Sequence, residues 1–331
     1  MNDRAISLLD HYDIEVIRTR KGRGAILCDT EKGCFVFKEY IGNPEKLQLQ
    51  DCLLKKVSGS GSVRTELLIR TKEDALWVED GDGRKYFLKT YFDNRECNLY
   101  EESECEDAVK TLAMLHNVLR LEDGEVEEFQ LTPFLIDREY EKHNKELRKV
   151  WRYLRKKSQK SSFESTLLQE YDYYLEQALE ITEEWRGFAR EDDLDYIKKC
   201  GSICHGDYQY HNIIRVGQEF AVINFERCIM DNEVRDLCLF MRKLLEKSDW
   251  SIELGDRLLN TYNSIRPLSA RSFVELYYRL AYPEKFWKIA NFYYNSGKAW
   301  IPERNREKLE LLSTQEKAKQ AFLEAIFRTL S

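Results

Sequence analysis

Proline and glycine are scarce, at 5 and 15 of 331 residues, which argues against a many-turned sandwich and for helices. No stretch is apolar for long enough to span a bilayer. Met1-Asn2-Asp3-Arg4 does not begin a basic segment followed by an apolar one, so neither membrane segment nor signal peptide is expected. Basic charge is not in excess: the net charge of -7 excludes a general nucleic-acid binder. None of the nine cysteines falls in a CxxC pair. Cys200 and Cys204 are four apart, without a second ligand pair. Reduced thiols of a cytosolic compartment are therefore expected rather than zinc.

What is present is enough for sizeable cores. Hydrophobic residues make up 43%, and 19 Tyr with 16 Phe exclude disorder. A chain of 331 residues exceeds a single core, so two lobes are expected. The fold class is α+β. A β-rich lobe with one helix is expected over 1–92. A helical lobe over 93–331 is expected to be interrupted at 200–226 by a loop and a hairpin.

The pattern along the chain supports that order. Val16 to Leu27 reads as a hairpin around Lys21-Gly22-Arg23-Gly24. Gly33 to Tyr40 alternates, with Phe35, Phe37 and Glu39 on one face and Val36 and Lys38 on the other. Pro44 marks a helix start, followed by Leu47, Leu53, Leu54 and Val57. Strands are expected over Thr65–Arg70, Leu76–Glu79 and Lys85–Phe92, with a turn at Asp80-Gly81-Asp82-Gly83. From about Glu101 the period is helical. One stripe carries Ala108, Leu112, Leu115 and His116, another Leu147, Val150, Trp151 and Leu154. A third runs from Phe163 through Tyr171 and Tyr174 to Thr182. After the loop from Cys200, strands are expected over Asn212–Val216 and Phe220–Phe225. Helices are expected from Val234 to Leu330.

Chemistry concentrates in His205-Gly206-Asp207-Tyr208-Gln209-Tyr210-His211-Asn212. Phosphoryl transfer needs an Asp that takes the substrate hydroxyl's proton and a nearby oxygen that holds Mg²⁺ on the nucleotide phosphates. The His-x-Asp-x-x-x-x-Asn spacing of kinase catalytic loops is met by His205, Asp207 and Asn212. A polar loop with an Asx turn is the plainer alternative. In Ala221-Val222-Ile223-Asn224-Phe225-Glu226, Asn224 stands where kinases place a metal-binding Asp. Glu226, two residues on, shares its face if the strand continues. Lys38 is the strand lysine for the α/β-phosphates, or else a solvent-facing lysine. Its acidic helix partner is unassigned among Gln48, Gln50 and Asp51. Asp236, next to Arg235, either caps the following helix or bonds back into the loop.

Two further groups read as ordinary structure. Arg148, Lys149, Arg152, Arg155, Lys156, Lys157 and Lys160 form a basic run above an apolar seam, a solvated face by default. The aromatic stripe from Tyr277 and Tyr282 through Phe286 and Tyr293 to Trp300 reads as helical core.

Loop and hairpin resemble the aminoglycoside phosphotransferase and choline kinase superfamily, where the loop typically reads H-G-D-x-x-x-x-N. The resemblance is closer to CotS-type spore-coat proteins. It rests on FVFKEY, ICHGDYQYHNII, VINFERCIMDNEVRDLCLFMRKLLEKSDW and the long helical segments, and covers nearly the whole chain. It implies a kinase-like fold, ATP and Mg²⁺ as cofactors, synthesis in the mother-cell cytoplasm and deposition in the spore coat among other coat proteins. It also implies site roles: Asp207 as base with His205 beside it, and Lys38 on the phosphates. Asn212, Asn224 and Glu226 would stand at the metal, with Asp236 organising the loop. Asn224 departs from the superfamily's metal Asp. Two functions follow: a coat component with weak or no turnover of ATP, or an active phosphotransferase on a small hydroxyl-bearing substrate such as a sugar or amino alcohol.

Overall fold

The computed structural model describes residues 6–22, 24–189, 193–296 and 303–328. Arg23 of the expected hairpin turn and Trp300 of the aromatic stripe lie outside the described residues. The chain packs as two compact units. One holds Met1–Leu131, Gly201–Ile229 and Thr261–Pro267; the other holds Thr132–Cys200, Met230–Asn260 and Leu268–Ser331.

In the first unit, β1 (Val16–Lys21), β2 (Ala25–Thr30) and β3 (Gly33–Tyr40) form an antiparallel meander. Helix α1 (Pro44–Ser60) follows. The Asn43 side chain caps it by accepting the Glu45 amide at 3.0 Å, and Pro44 supplies a preset φ at its first position. Leu47, Leu53, Leu54 and Val57 are all buried.

The strand expected over Thr65–Arg70 is instead two short strands, β4 (Arg64–Thr65) and β5 (Leu68–Ile69), which join different sheets. At the break, side chains replace ladder bonds. The Leu67 amide donates to Thr90 Oγ1 at 2.8 Å, and the Glu66 carboxylate leaves the ladder to accept distant backbone amides. Leu76–Glu79 shrinks to β6 (Val78–Glu79). The main sheet runs β1-β2-β3-β7-β5, with β7 (Lys85–Tyr91) also pairing β6.

The alternation in β3 holds. Phe35 and Phe37 pack with Leu9, Tyr12, Cys28, Tyr86 and Leu88 on one face. On the other, Lys38 pairs across to Phe87 and Val36 to Lys89. Lys38 and Lys89 are thus diagonal neighbours on one face, within reach of a common partner.

Helix α2 (Glu102–Val118) buries Ala108, Leu112, Leu115 and His116, and the short α3 (Asp123–Glu128) opens with a capping box from Glu122. Strand β8 (Ile203–Cys204) precedes the loop. The hairpin comprises β9 (Ile213–Val216) and β10 (Glu219–Val222). Strand β4 runs parallel to β10, so the hairpin is stitched to the N-terminal part of the chain. Packing therefore groups loop and hairpin with the main sheet, irrespective of a boundary at residue 92.

Strand β10 stops at Val222, short of the expected Phe225. Asn224 takes a left-handed conformation (φ 68°, ψ 57°), and Phe225–Arg227 forms a 3₁₀ turn. Asparagine tolerates this conformation better than most residues do, and the Asn224 amide is drawn to Glu66 rather than to a strand partner.

The second unit is helical. Helix α4 (Ile136–Lys156) packs on α5 (Ser162–Phe188), where the Tyr171 hydroxyl donates to the Leu147 carbonyl at 3.0 Å. The expected seams are buried, except that Trp151 is half-buried and donates to Asp172. The basic run lies over aromatic rings in part: Arg155 over Trp151, and Lys149 over Tyr294. Helices α6 (Asp193–Cys200), α7 (Val234–Lys247), α8 (Ile252–Ile265), α9 (Ala270–Ala281), α10 (Glu284–Asn295) and α11 (Glu303–Phe327) complete the chain. Tyr282, Phe286 and Tyr293 of the aromatic stripe are core, whereas Phe292 is exposed. Asp236 is fully buried inside the first turn of α7 and not at its cap, which is Glu233.

Candidate active site

The loop is built on backbone bonds from His205. Its ring is fully buried. Nε2 donates to the Ile223 carbonyl at 2.9 Å, and Nδ1 accepts the Asp207 amide at 3.2 Å. A neutral ring with the proton on Nε2 satisfies both bonds. His205 therefore ties the loop to the hairpin and positions Asp207. Gly206 adopts φ 77°, where a Cβ would collide with the Arg227 carbonyl oxygen. Tyr208 anchors the other side, donating to the Ala108 carbonyl of α2 at 2.7 Å.

Asp207 keeps its carboxylate at the partly exposed surface of the loop. Gln209 Nε2 donates to Oδ1 at 2.5 Å, and the exposed Arg227 guanidinium lies 3.9 Å from Oδ2. Asn212 Nδ2 donates to the Asp207 carbonyl at 2.8 Å, and Asn212 Oδ1 accepts from Asn224 Nδ2 at 2.8 Å. Asp207, Asn212 and Asn224 thus form one hydrogen-bonded series.

Two residues absent from the sequence reading complete the site. Lys89 lies at the centre of β7 and is 2% exposed. Its ammonium donates to Asn224 Oδ1 at 2.8 Å and to Glu226 Oε1 at 3.1 Å, and faces Glu66 Oε2 at 2.9 Å as an ion pair. Glu66 is fully buried; its Oε1 accepts the amides of Asn224 at 2.9 Å and Phe225 at 3.4 Å. Lys38 donates to the same Glu226 oxygen at 3.1 Å. The acidic partner of Lys38 is therefore Glu226. On helix α1, Asp51 pairs instead with Arg70 at 2.7 Å and Lys55 at 2.8 Å.

Burial would raise the Glu226 carboxyl, but the Lys89 and Lys38 ammoniums outweigh it and hold it down to about 2. Burial would lower the Lys89 ammonium, but Glu66 and Glu226 outweigh it and hold it above the ordinary lysine value. Two carboxylates and two ammoniums balance.

A divalent metal fits this set poorly. Mg²⁺ asks for near-octahedral oxygens at about 2.0–2.1 Å. Of the expected ligands, Asn212 Oδ1 already accepts from Asn224, Asn224 Oδ1 from Lys89, and Glu226 Oε1 from both lysines. Asn212 meets Asn224, and Asn224 and Glu226 both face the Lys89 ammonium. Among the described residues no group of three or more His, Cys, Asp and Glu could hold a metal ion.

A cavity of about 740 Å³ is lined in part by Arg20, Gly22, Glu39, Asp80, Arg84 and Tyr86. A lysine directly after an apolar run on a mid-sheet strand, Phe87-Leu88-Lys89, is a signal that could have singled out Lys89. Glu66 carries no such local signal.

The fold has solved relatives. An aminoglycoside phosphotransferase from Alicyclobacillus acidocaldarius superposes with a TM-score of 0.83 at 18% identity, over 98% of this chain and 95% of that one. A spectinomycin phosphotransferase solved with ADP and spectinomycin gives 0.67 at 14% identity, over 96% and 97%. The kinase-like fold is therefore that of these phosphotransferases. In sequence, Spore coat protein S of Bacillus subtilis (strain 168) is 26% identical over 128 residues, 38% of this chain and 36% of that protein. The match thus spans little more than a third of that relative's length. A model of the family described as "Spore coat putative kinase YutH" matches residues 6–326. Matched over nearly its whole length, the chain belongs to the YutH family of kinase-like spore-coat proteins.

Proposed function

We propose that this chain serves the spore coat as a nucleotide-binding module on a kinase-like fold, with weak or no phosphoryl transfer. The observation that carries the reading is the pairing of Asn224 with Lys89, where a metal-binding carboxylate would stand, beside the retained strand lysine and loop aspartate. Lys38, a third exposed and anchored by Glu226, is the partner for the phosphates of ATP. The family makes other coat proteins the expected macromolecular partners. The spectinomycin phosphotransferase that shares the fold was solved with ADP, which supports a nucleotide as the small ligand.

A second reading is favoured by the loop itself. His205 holds the Asp207 backbone, and the Asp207 carboxylate is accessible. An Asp so placed can take the proton of a sugar or amino-alcohol hydroxyl. Calorimetric titration of ATP, with a phosphoryl-transfer assay over a panel of such alcohols, separates the two. Binding without transfer supports the module. Transfer abolished by Asp207→Asn supports the enzyme. Absence of ATP binding rejects both.

A further inference from the structure

We propose that the Lys89 ammonium is the resident cation of this site, standing where a divalent metal would stand, so that nucleotide phosphates are held without Mg²⁺. The inference rests on the nucleotide-binding reading for its ligand, and on the geometry for its cation.

Three oxygens converge on Lys89 Nζ: Asn224 Oδ1 at 2.8 Å, Glu66 Oε2 at 2.9 Å and Glu226 Oε1 at 3.1 Å. They come from two separate stretches of chain, Glu66 after β4 and the end of the hairpin, and include both hairpin-end residues expected to face a metal. An ammonium has three N–H directions and no acceptor, so a cluster of oxygens is its natural surrounding. A metal entering here would need the same oxygens and would lie against two ammoniums, Lys89 and Lys38. Like charges at such range repel strongly where water is excluded.

Lys89 is not free to step aside. It is almost wholly buried, and its backbone is laddered to Val36 on β3 and Leu68 on β5. Glu66 is fixed from its other oxygen by the Asn224 and Phe225 amides.

The identity of residue 224 follows from this arrangement. Its oxygen must face the ammonium, and its other side-chain atom donates to Asn212 Oδ1 at 2.8 Å. Asparagine supplies one acceptor and one donor; aspartate, ionised, would supply acceptors alone and lose the Asn212 bond. The amide is the side chain that serves an ammonium and Asn212 together. Direct contact with phosphate then falls to the exposed cations of the site, Lys38 and Arg227.

The test uses the full chain with ATP and Mn²⁺ as probes. ATP is titrated in excess Mg²⁺ and in EDTA, and Mn²⁺ alone is titrated with its paramagnetic signal as readout. The expected results for the wild type are ATP affinities equal within about twofold in the two buffers and no Mn²⁺ uptake. Tightening of ATP by Mg²⁺ of about tenfold or more overturns the proposal. So does Mn²⁺ uptake that Glu226→Gln removes. The double variant Lys89→Met with Asn224→Asp restores an open carboxylate site and is expected to take up Mn²⁺; a folded double variant that does not take it up also overturns the proposal. The wild-type titrations need no variant to fold. ATP binding in neither buffer would end the nucleotide reading, while the Mn²⁺ titrations would still decide whether Lys89 holds the metal's place.

Discussion

The Lys89 ammonium stands 2.8 Å from the Asn224 amide oxygen, although 135 residues of chain separate the two. The same ammonium neutralises Glu66, a carboxylate with no exposed surface. Removing one partner of a buried pair leaves the other charge uncompensated, a loss of about 3–5 kcal/mol. Lys38 pairs with Glu226 from a side chain that is 36% exposed, and such pairs contribute about 1 kcal/mol or less. Lys89→Ala is therefore expected to destabilise by several-fold more than Lys38→Ala. Urea unfolding of the two variants checks this, and equal losses would remove Lys89 from the centre of the site.

His143 makes stability depend on pH. Its ring stacks on Trp287 with centroids 3.5 Å apart. Burial pushes its pKa down from the ordinary 6.5 to about 4; Glu139 opposes, while Lys142, Lys288 and Arg235 reinforce. Between pH 6.5 and 4 the unfolded ring takes a proton that the folded ring refuses, so stability rises with pH across that window. It is full above about 6.5 and has fallen by about 3 kcal/mol at pH 4. His143→Phe, which keeps a ring against Trp287, is expected to flatten that slope in unfolding curves recorded from pH 7 to 4.

Gly206 carries the loop's turn. At φ 77°, an added Cβ meets the Arg227 carbonyl oxygen, and backbone atoms cannot rotate away as a side chain would. Gly206→Ala is expected to cost about 2 kcal/mol or more and to displace Asp207. Loss of ATP binding or transfer beyond that of Gly217→Ala would show it; Gly217 also has a positive φ, but an added Cβ meets nothing within 4 Å.

None of the nine cysteines forms a disulfide bond. Burial raises Cys28 and Cys34 to about 11 and Cys97 to about 12. Thiolate is the reacting form, so these groups should react slowly at pH 8. A chromogenic disulfide reagent is expected to find nine thiols after denaturation. In the native protein the fast phase should be limited to the partly exposed Cys52 and Cys200, or fewer, since Cys34, though also partly exposed, is held as the thiol. Fewer than nine after denaturation without reductant would contradict the absence of disulfide bonds.

Local periodicity made much of the fold legible. The Gly33–Tyr40 alternation places Lys38 on the face opposite Phe37, and Asn43-Pro44 starts α1 where a cap and a preset φ require it. His205-x-Asp207-x-x-x-x-Asn212 forms one bonded loop because those bonds span only a few residues. Tertiary structure decided the rest. Thr65–Arg70 reads as one strand by composition. It splits because Arg64–Thr65 finds β10 and Leu68–Ile69 finds β7, partners more than 150 and about 20 residues away along the chain. The strand through Asn224 ends early because the Glu66 carboxylate takes its amide. Glu66 and Lys89 acquire their roles only where both sheets have formed, since a buried charge is stable only beside its counter-charge, and no short stretch of sequence contains that pair.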